Sequence, residues 1–221
     1  MQQNLDKIRT VIFDMDGVLF DTEKVYLDVW TKVCEKYGYK MTKEIYCKVI
    51  ATGRENVKRV FKKEFGDNIP IEEMYKEKDN NLAIELEKCI PIKDGAYELL
   101  RHLKKKNYKL ALATSASKER MEKQLNEADF RDLFDEVVCR DEVRETKPNP
   151  EIFLKAANKL SVNPKECIVI EDSLAGVKAA HRGNMIPIHV VDLKEVDEEI
   201  KKYCYRSFNN LIEIKEEIFN K

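Results

Sequence analysis

Short runs of β-branched and other apolar residues recur at wide spacing along this 221-residue chain, and this pattern constrains its fold more than any other feature. Segments with helical periodicity separate most of the runs. Parallel strands need long crossover connections, which helices commonly supply, so the alternation predicts an α/β fold with a parallel sheet. The predicted strands cover residues 10–13, 109–113, 136–139, 167–170 and 186–191.

The connecting helices are predicted from their apolar period and their end signals. They cover residues 95–106, 118–128, a segment opened by Pro148 and Pro150, and 174–182. Ser117 can cap the second of these helices, and Gly183 with Asn184 ends the fourth. Helices on both faces of the sheet would give a Rossmann-like core of three layers.

One long stretch, residues 22–89, breaks this alternation. It contains no convincing strand, and its apolar residues keep a helical period, as at Tyr26, Trp30 and Val33. We therefore predict an α/β core made of residues 1–20 and 91–221, interrupted by a helical domain of residues 21–90. The lysine- and glutamate-rich end of the chain, from Asp192 onward, is predicted to be a solvated helix face.

Composition limits the partners and the location of the protein. The chain has 40 Lys and Arg against 41 Asp and Glu, so no broad basic field favours a nucleic acid. No apolar run approaches the roughly 20 residues that span a bilayer, and the N-terminus lacks the pattern of a signal peptide. The six cysteines form no CxxC pair and are expected to be reduced thiols. We expect a cytoplasmic monomer without membrane or nucleic-acid partners.

Acidic, basic and hydroxyl side chains follow the predicted strands. Asp14 and Asp16 come directly after the first strand, where ligands bind in parallel α/β sheets. Such a pair can hold a divalent cation, with one carboxylate as nucleophile and the other as acid and base, although an isolated DxDG is also an ordinary turn.

Three further positions supply the context for that pair. Thr114 and Ser115 end the second strand and offer hydroxyl and N–H groups to phosphate oxygens. Lys147 precedes a helix and offers a compact positive charge, although a single lysine is more often solvated surface. Glu171 and Asp172 end the fourth strand, and two adjacent acids suggest a site for a hard metal ion.

Together these positions resemble the haloacid dehalogenase superfamily, and in particular its β-phosphoglucomutase-like phosphatases. The resemblance covers nearly the whole chain through four motifs in order: DMDGVLFDTE at 14–23, LATS at 112–115, KPNPEIF at 147–153 and EDSLAGVKAA at 171–180. It implies a Mg²⁺-dependent phosphatase that hydrolyses a small phosphorylated metabolite, such as a sugar phosphate, through an aspartyl-phosphate.

The resemblance also implies a role for each residue. Asp14 would attack phosphorus, and Asp16 would protonate the leaving oxygen and later deprotonate water. Mg²⁺ would be held by Asp14, the backbone carbonyl of Asp16, and Asp172, with Glu171 bound directly or through water. Lys147 and a hydroxyl, either Thr114 or Ser115, would bind the phosphoryl oxygens.

The helical domain corresponds to the cap of the family, which closes over the core and selects the leaving group. The hinges would lie at Asp21 and Thr22 and again near residues 89–93. Residues 53–56 resemble a specificity loop in which Arg54 contacts a sugar or a second phosphate. An exposed arginine at the start of a helix is an equally good interpretation.

Two other functions remain open, namely sugar phosphate mutase activity and a non-catalytic binding role. The resembling mutases carry a His at the position that falls here on Tyr26, so its absence favours hydrolysis over sugar phosphate mutase activity. Asp16 disfavours dehalogenation, because the dehalogenases of this fold lack an acid two residues after the nucleophile. A non-catalytic binding protein would be expected to lose one of the catalytic acids, and none is missing.

Overall fold

A computed structural model describes residues 5, 8–50, 54–88, 90–193, 196 and 198–220. The six strands described form one sheet, named here β1 Thr10–Phe13, β2 Lys109–Ala113, β3 Glu136–Val138, β4 Cys167–Glu171, β5 Ile186–Val190 and β6 Arg206–Phe208. The described α-helices are α1 Thr22–Lys36, α2 Lys43–Cys47, α3 Arg54–Phe65, α4 Ile71–Leu86, α5 Ala96–Lys105, α6 Lys118–Glu127, α7 Glu151–Lys159, α8 Leu174–Arg182, α9 Glu198–Tyr203 and α10 Leu211–Ile214.

The sheet is parallel throughout, with strand order β3-β2-β1-β4-β5-β6. Strand β1 therefore lies at the centre, and the chain winds away from it in both directions. Phe13 near the end of β1 pairs with Leu112 of β2 and with Ile170 of β4. The carboxyl ends of three neighbouring strands thus meet at one edge, on either side of the point where the strand order reverses.

The central strands are buried along their whole length because helices cover the sheet. Every residue of β1, β4 and β5 is buried, which explains why apolar residues predominate in these strands. Helix α7 packs against β1, β2 and β3, and α8 packs against β4 and β5. The predicted α/β fold with a parallel, Rossmann-like core is confirmed.

The chain divides into two compact units, one of Met1–Asp21 with Pro91–Lys221 and the other of Thr22–Ile90. The described part of the second unit contains α1 to α4 and no strand. Its core is aromatic: the Trp30 ring packs edge-on against Phe61 and Tyr75, with centroids 4.9 and 5.1 Å apart. Thr42 caps α2 by accepting a hydrogen bond from the Ile45 N–H.

The prediction for the C-terminal segment was wrong. Instead of one solvated helix face, the chain beyond Asp192 contributes α9, the edge strand β6, and α10, which continues as a π-helix over Lys215–Phe219. Leu211, Ile214 and Phe219 are buried, so this segment covers part of the core. Among the described residues, no helix combines the length and the apolar character needed to cross a bilayer.

Candidate active site

The candidate site lies at the carboxyl edge of the sheet, where three predicted residues follow adjacent strands. Asp14 follows β1 and is tied to β4, because its N–H donates to the Ile170 carbonyl at 3.0 Å. Thr114 follows β2, and its N–H donates to Val138 of β3. Glu171 is the last residue of β4. The register of the sheet therefore brings residues far apart in the sequence to one edge.

A tight turn after β1 sets the position of Asp14 and Asp16. Gly17 has φ +75°, a left-handed conformation that L side chains rarely adopt, and its N–H donates to the Phe20 carbonyl at 2.8 Å. A Cβ at Gly17 would overlap the Asp172 carboxylate. Glycine thus permits both the turn and the close approach of the fourth motif to the first.

Lys147 joins the first and fourth motifs. Its Nζ donates to Asp14 Oδ1 at 2.5 Å and to Glu171 Oε1 at 2.6 Å, and only 7% of the side chain is exposed. Phe153 of α7 lies beneath it, with Nζ 4.8 Å from the ring centroid. Lys147 is therefore not solvated surface: it is the cation of a buried ionic cluster.

Burial and mutual repulsion shift the pKa values in this cluster. Burial raises the pKa of Asp14 to about 7 although Lys147 opposes the shift, and Glu171 raises it further. Burial likewise raises the pKa of Asp172, with added repulsion from Glu171 and Asp14. Burial alone would lower the pKa of Lys147, but Asp14 and Glu171 outweigh it and hold it above its ordinary value.

The donor set fits a hard divalent cation. Asp14, Glu171 and Asp172 each present a carboxylate oxygen within 4.8 Å of the others. With all three ionised, Lys147 balances only one of their charges, which leaves two negative charges uncompensated in a buried place. Oxygen ligands and a double charge deficit suit Mg²⁺, and a bound cation would relieve the repulsion that raises the pKa of Asp14 and Asp172.

Glu171 is fixed by neighbours that sequence reasoning did not identify as part of the site. Its Oε2 accepts from the N–H and the hydroxyl of Ser173 at 2.7 and 2.8 Å, while Oε1 accepts from Lys147. A Cβ at Gly176 would overlap the Glu171 carboxyl group, so α8 approaches that carboxyl only because residue 176 lacks a side chain. The small residues after Ser173 are the sequence feature that indicates this close approach of the helix.

His189 holds the backbone of Asp172. Its Nε2 lies 2.9 Å from the Asp172 carbonyl oxygen, which can only accept, so Nε2 carries the proton. Its Nδ1 lies 2.7 Å from the hydroxyl of Ser207 on β6. This contact depends on β6, which the sequence did not predict, so no motif indicated it.

Asp16 has a partner that the sequence also failed to indicate. Its Oδ1 accepts a hydrogen bond from the guanidinium Nη2 of Arg120, in the first turn of α6. The two residues are 104 positions apart, and Arg120 is one of 40 basic residues, so nothing in the sequence marked it.

The two candidate hydroxyls differ in their surroundings. Thr114 is 1% exposed, and its Oγ1 accepts from the Ala116 N–H at 3.1 Å, which leaves the hydroxyl proton free to donate. Ser115 is exposed. A phosphate oxygen at the strand edge needs a fixed donor, so these surroundings favour Thr114.

Arg54 belongs to the second unit and is engaged within it. Its Nη2 lies 3.5 Å from Glu72 Oε2, and the guanidinium carbon lies 4.3 Å from the Tyr75 ring centroid. Half of the side chain is exposed. Gly53, the preceding residue of the predicted specificity loop, lies outside the described residues, and substrate contact by Arg54 stays a prediction.

Comparison with known proteins agrees with the geometry. Residues 11–190 match the haloacid dehalogenase-like hydrolase family model. The "Phosphorylated carbohydrates phosphatase" of Thermotoga maritima is 34% identical over 187 residues, covering 83% of this chain and 85% of that protein. A "Probable pseudouridine-5'-phosphatase" of Drosophila melanogaster is 32% identical over 221 residues, covering 97% and 95%.

A solved structure is similar to this chain over nearly its whole length. The β-phosphoglucomutase of Clostridium difficile is 29% identical, with a TM-score of 0.65 and coverage of 96% of this chain and 97% of that one. The chain belongs to the haloacid dehalogenase-like hydrolase family. The predicted enzyme class, a phosphatase of this family, is confirmed.

Proposed function

We propose that this protein is a Mg²⁺-dependent phosphatase that hydrolyses a small phosphorylated metabolite through an aspartyl-phosphate on Asp14. One observation carries the proposal: Asp14, at the switch point of the sheet, shares a buried cluster with Lys147, Glu171 and Asp172. Named relatives that act on phosphorylated carbohydrates and on pseudouridine 5'-phosphate support a small phosphorylated substrate.

In the first half-reaction, a carboxylate oxygen of Asp14 attacks phosphorus and the bond to the leaving oxygen breaks. Asp16 gives its proton to that oxygen, so an alcohol departs and Asp14 carries the phosphoryl group. Lys147 and the Thr114 hydroxyl donate to the phosphoryl oxygens and favour the charge that spreads over them in the transition state.

In the second half-reaction, Asp16 is a carboxylate and accepts a proton from water as the water oxygen attacks phosphorus. The bond to Asp14 breaks, inorganic phosphate forms and the Asp14 carboxylate is restored. One residue thus acts first as acid and then as base, which requires it to reach the same side of the phosphorus in both steps.

The residues that would hold Mg²⁺ are Asp14, Asp172 and the backbone carbonyl of Asp16. Both oxygens of Glu171 already accept hydrogen bonds from Lys147 and Ser173, which favours a contribution through water over direct ligation. When bound, the ion would supply positive charge that offsets repulsion between a phosphate dianion and an anionic nucleophile.

The second unit, with Arg54, is proposed to select the substrate by closing over the core, as caps of this family do. Hydrolysis is favoured over mutase transfer because Tyr26 stands where the resembling mutases carry a His. The likeness to a β-phosphoglucomutase keeps phosphoryl return to the sugar as the second candidate. We propose a cytoplasmic protein that acts as a monomer.

The test measures phosphate release over a panel of phosphorylated metabolites, with Mg²⁺ and with a chelator. We expect release by the wild type that stops on chelation and is lost in Asp14→Asn, by on the order of a thousandfold or more. Equal phosphate release by the wild type and by Asp14→Asn would contradict the assignment of Asp14 as the nucleophile. Asp132→Asn, the same change at an exposed residue, is the matched control and should leave release unchanged.

A separate assay distinguishes hydrolysis from mutase transfer. The protein is incubated with β-glucose 1-phosphate and Mg²⁺, and both inorganic phosphate and glucose 6-phosphate are followed. Phosphate should appear first. Faster accumulation of glucose 6-phosphate would assign the chain to the mutases.

A further inference from the structure

We propose that Arg120 is a positioning residue that holds the Asp16 carboxylate in the orientation needed for proton transfer to the leaving oxygen. The inference rests on the proposed function, which gives Asp16 the role of acid and base. It adds a residue that lies outside all four motifs.

The contact between the two side chains is specific. Arg120 Nη2 donates to Oδ1 of Asp16, and among the described residues Asp16 Oδ2 has no hydrogen-bond donor. About a third of the Asp16 side chain is exposed. One oxygen of the carboxylate is therefore anchored while the other is left to exchange a proton.

Among the described residues, the guanidinium of Arg120 has no hydrogen-bond or ion-pair partner besides Asp16. Its Nε is buried and has no hydrogen-bond partner among the described residues, so the contact with Asp16 is its defining interaction. A buried donor without an acceptor costs about 1–3 kcal/mol. A side chain selected only for stability would be expected to avoid this cost.

The backbone that carries Arg120 is fixed at the site edge. Ser117 caps α6 by accepting from the Arg120 N–H at 3.4 Å, and the Lys118 N–H donates to Asp141 Oδ2 at 2.8 Å. The preceding Ala116 carbonyl accepts from the Arg140 N–H at 2.9 Å. The start of α6 is thus tied to the loop after β3, which gives the guanidinium a rigid base.

The chemical consequence falls on the leaving group. In the first half-reaction the proton moves from Asp16 to the bridging oxygen as the P–O bond breaks and its electron pair goes to oxygen. An alkoxide needs that proton, whereas p-nitrophenolate leaves well without it. Loss of Arg120 should therefore slow the first half-reaction of esters with poor leaving groups far more than that of p-nitrophenyl phosphate. The second half-reaction also uses Asp16 but is common to all substrates, so kcat/KM, which covers the steps up to departure of the leaving group, is the parameter that compares them.

The experiment compares wild type, Arg120→Gln and Arg120→Lys on three substrates. Phenyl phosphate and p-nitrophenyl phosphate have nearly the same shape but differ in leaving group. The third substrate is the alkyl phosphate from which phosphate is released fastest in the metabolite panel. Arg131→Gln is the control, because within the described part of the chain Arg131 makes only a partly exposed ion pair at 3.5 Å with Glu122.

We expect Arg120→Gln to lower kcat/KM about tenfold to a hundredfold on phenyl phosphate and on the alkyl substrate. On p-nitrophenyl phosphate kcat/KM should fall less than about threefold, and any fall in kcat that comes from hydrolysis of the shared aspartyl-phosphate should be the same for all three substrates. Arg120→Lys should recover part of the loss, because an ammonium keeps the charge but not the planar geometry.

The outcomes separate the two proposals. A wild type that releases no phosphate from any substrate contradicts the proposed function. An active wild type with equal losses of kcat/KM on all three substrates in Arg120→Gln, or with no loss at all, overturns the positioning role alone. Retained turnover of p-nitrophenyl phosphate also reports that the variant is folded.

Discussion

At the scale of single residues, Asp14 is where stability and activity conflict. The nucleophile that we propose Asp14 to be must be ionised, yet Asp14 is buried beside Glu171 and Asp172, and burial raises its pKa to about 7 from an ordinary value of 3.8. Lys147 reduces this cost without removing it. In the metal-free protein Asp14 is therefore only about half ionised near neutral pH, and a cation at the site would favour the ionised form.

The first prediction concerns the pH dependence of metal-free stability. Between the unfolded pKa of 3.8 and the folded value of about 7, the native state holds the Asp14 proton more tightly, so the stability contributed by Asp14 falls as pH rises. We expect the difference in unfolding free energy between Asp14→Asn and wild type to grow, on the order of a few kcal/mol, from pH 4.5 to 7.5.

Urea unfolding of both proteins in chelator measures this difference, because other titrating groups are common to the pair. Mg²⁺ should raise the melting temperature of the wild type more at pH 7.5 than at pH 5, since it binds the ionised site. Parallel stability profiles for the two proteins from pH 4.5 to 7.5 would contradict the prediction.

At the scale of elements, helix α8 contacts the candidate site as well as the core of the sheet. Gly176 in its first turn lets the helix approach the Glu171 carboxyl, whereas Gly183 at its C-terminal end has ordinary space around it. The nearest atoms to a Cβ at Gly183 lie 3.4 Å away. The two glycines of one helix therefore offer a matched test of close approach.

The second prediction is that Gly176→Ala destabilises the protein by about 1–3 kcal/mol and weakens its affinity for Mg²⁺. The added methyl group displaces Glu171, which Lys147 and Ser173 otherwise hold, and overpacking of this kind outweighs the helix propensity gained. Gly183→Ala should change the unfolding free energy by less than about 1 kcal/mol. Urea unfolding and titration calorimetry with Mg²⁺ measure both effects, and equal behaviour of the two variants would refute this role of Gly176.

The predictability of each element follows from its burial. The bounds of β1 and β2 were predicted to the residue, because a strand covered on both faces is an unbroken apolar run. Strand β6 was missed, because Arg206, Ser207 and Phe208 make a three-residue edge strand with little apolar signal. Its pairing with β5 is a long-range contact that local periodicity does not encode.

The third prediction tests whether the C-terminal segment is packed against the core, although its many charged residues predicted a solvated helix face. Ile214 is fully buried, whereas Ile212, two residues earlier, is 45% exposed. Ile214→Ala should lower the unfolding free energy by about 2–5 kcal/mol, because it leaves a cavity in a packed core. Ile212→Ala should cost less than about 1 kcal/mol, and equal costs in urea unfolding would restore the solvated-face interpretation.

At the scale of the whole molecule, parallel-sheet topology explains how much of the site could be predicted. Asp14, Thr114 and Glu171 follow strands whose carboxyl ends share one edge, so the sequence order of three motifs already predicted their neighbourhood. Arg120 and His189 could not be found this way, since their roles come from side-chain contacts across 104 and 17 positions. The strand order determines which residues lie at the same edge of the sheet, whereas the side-chain partners of those residues depend on tertiary packing.

The two chain crossings between the units are joined within the core. The Asp21 N–H donates to the Pro91 carbonyl at 2.8 Å, and Phe20 forms an antiparallel bridge with Ile92. Lys93 then pairs with Asp192 at 2.5 Å. The ends that a deletion of the second unit would leave are thus already hydrogen-bonded neighbours, a geometry that a two-residue turn can close.

The fourth prediction is that the core folds and binds metal without residues 22–90. A chain in which Gly-Gly joins Asp21 to Pro91 should unfold cooperatively and show a Mg²⁺-dependent rise in melting temperature, because the buried sheet and Lys147 cluster are internal to the core. The proposed cap would be absent, so kcat/KM for the preferred metabolite should fall on the order of a hundredfold. Turnover of p-nitrophenyl phosphate, which needs less help from the enzyme at its leaving group, should fall much less.

The ratio of the two kcat/KM values is the decisive measurement, since it cancels any loss of active protein common to both substrates. If the ratio of kcat/KM for the metabolite to kcat/KM for p-nitrophenyl phosphate falls toward one in the excised core, residues 22–90 are responsible for discrimination between the two substrates. If the excised core keeps the ratio of the intact chain, discrimination resides in the core, and Arg54 then has no part in substrate choice. The Asp14→Asn form of the excised core should release no phosphate from either substrate, which excludes a contaminating phosphatase.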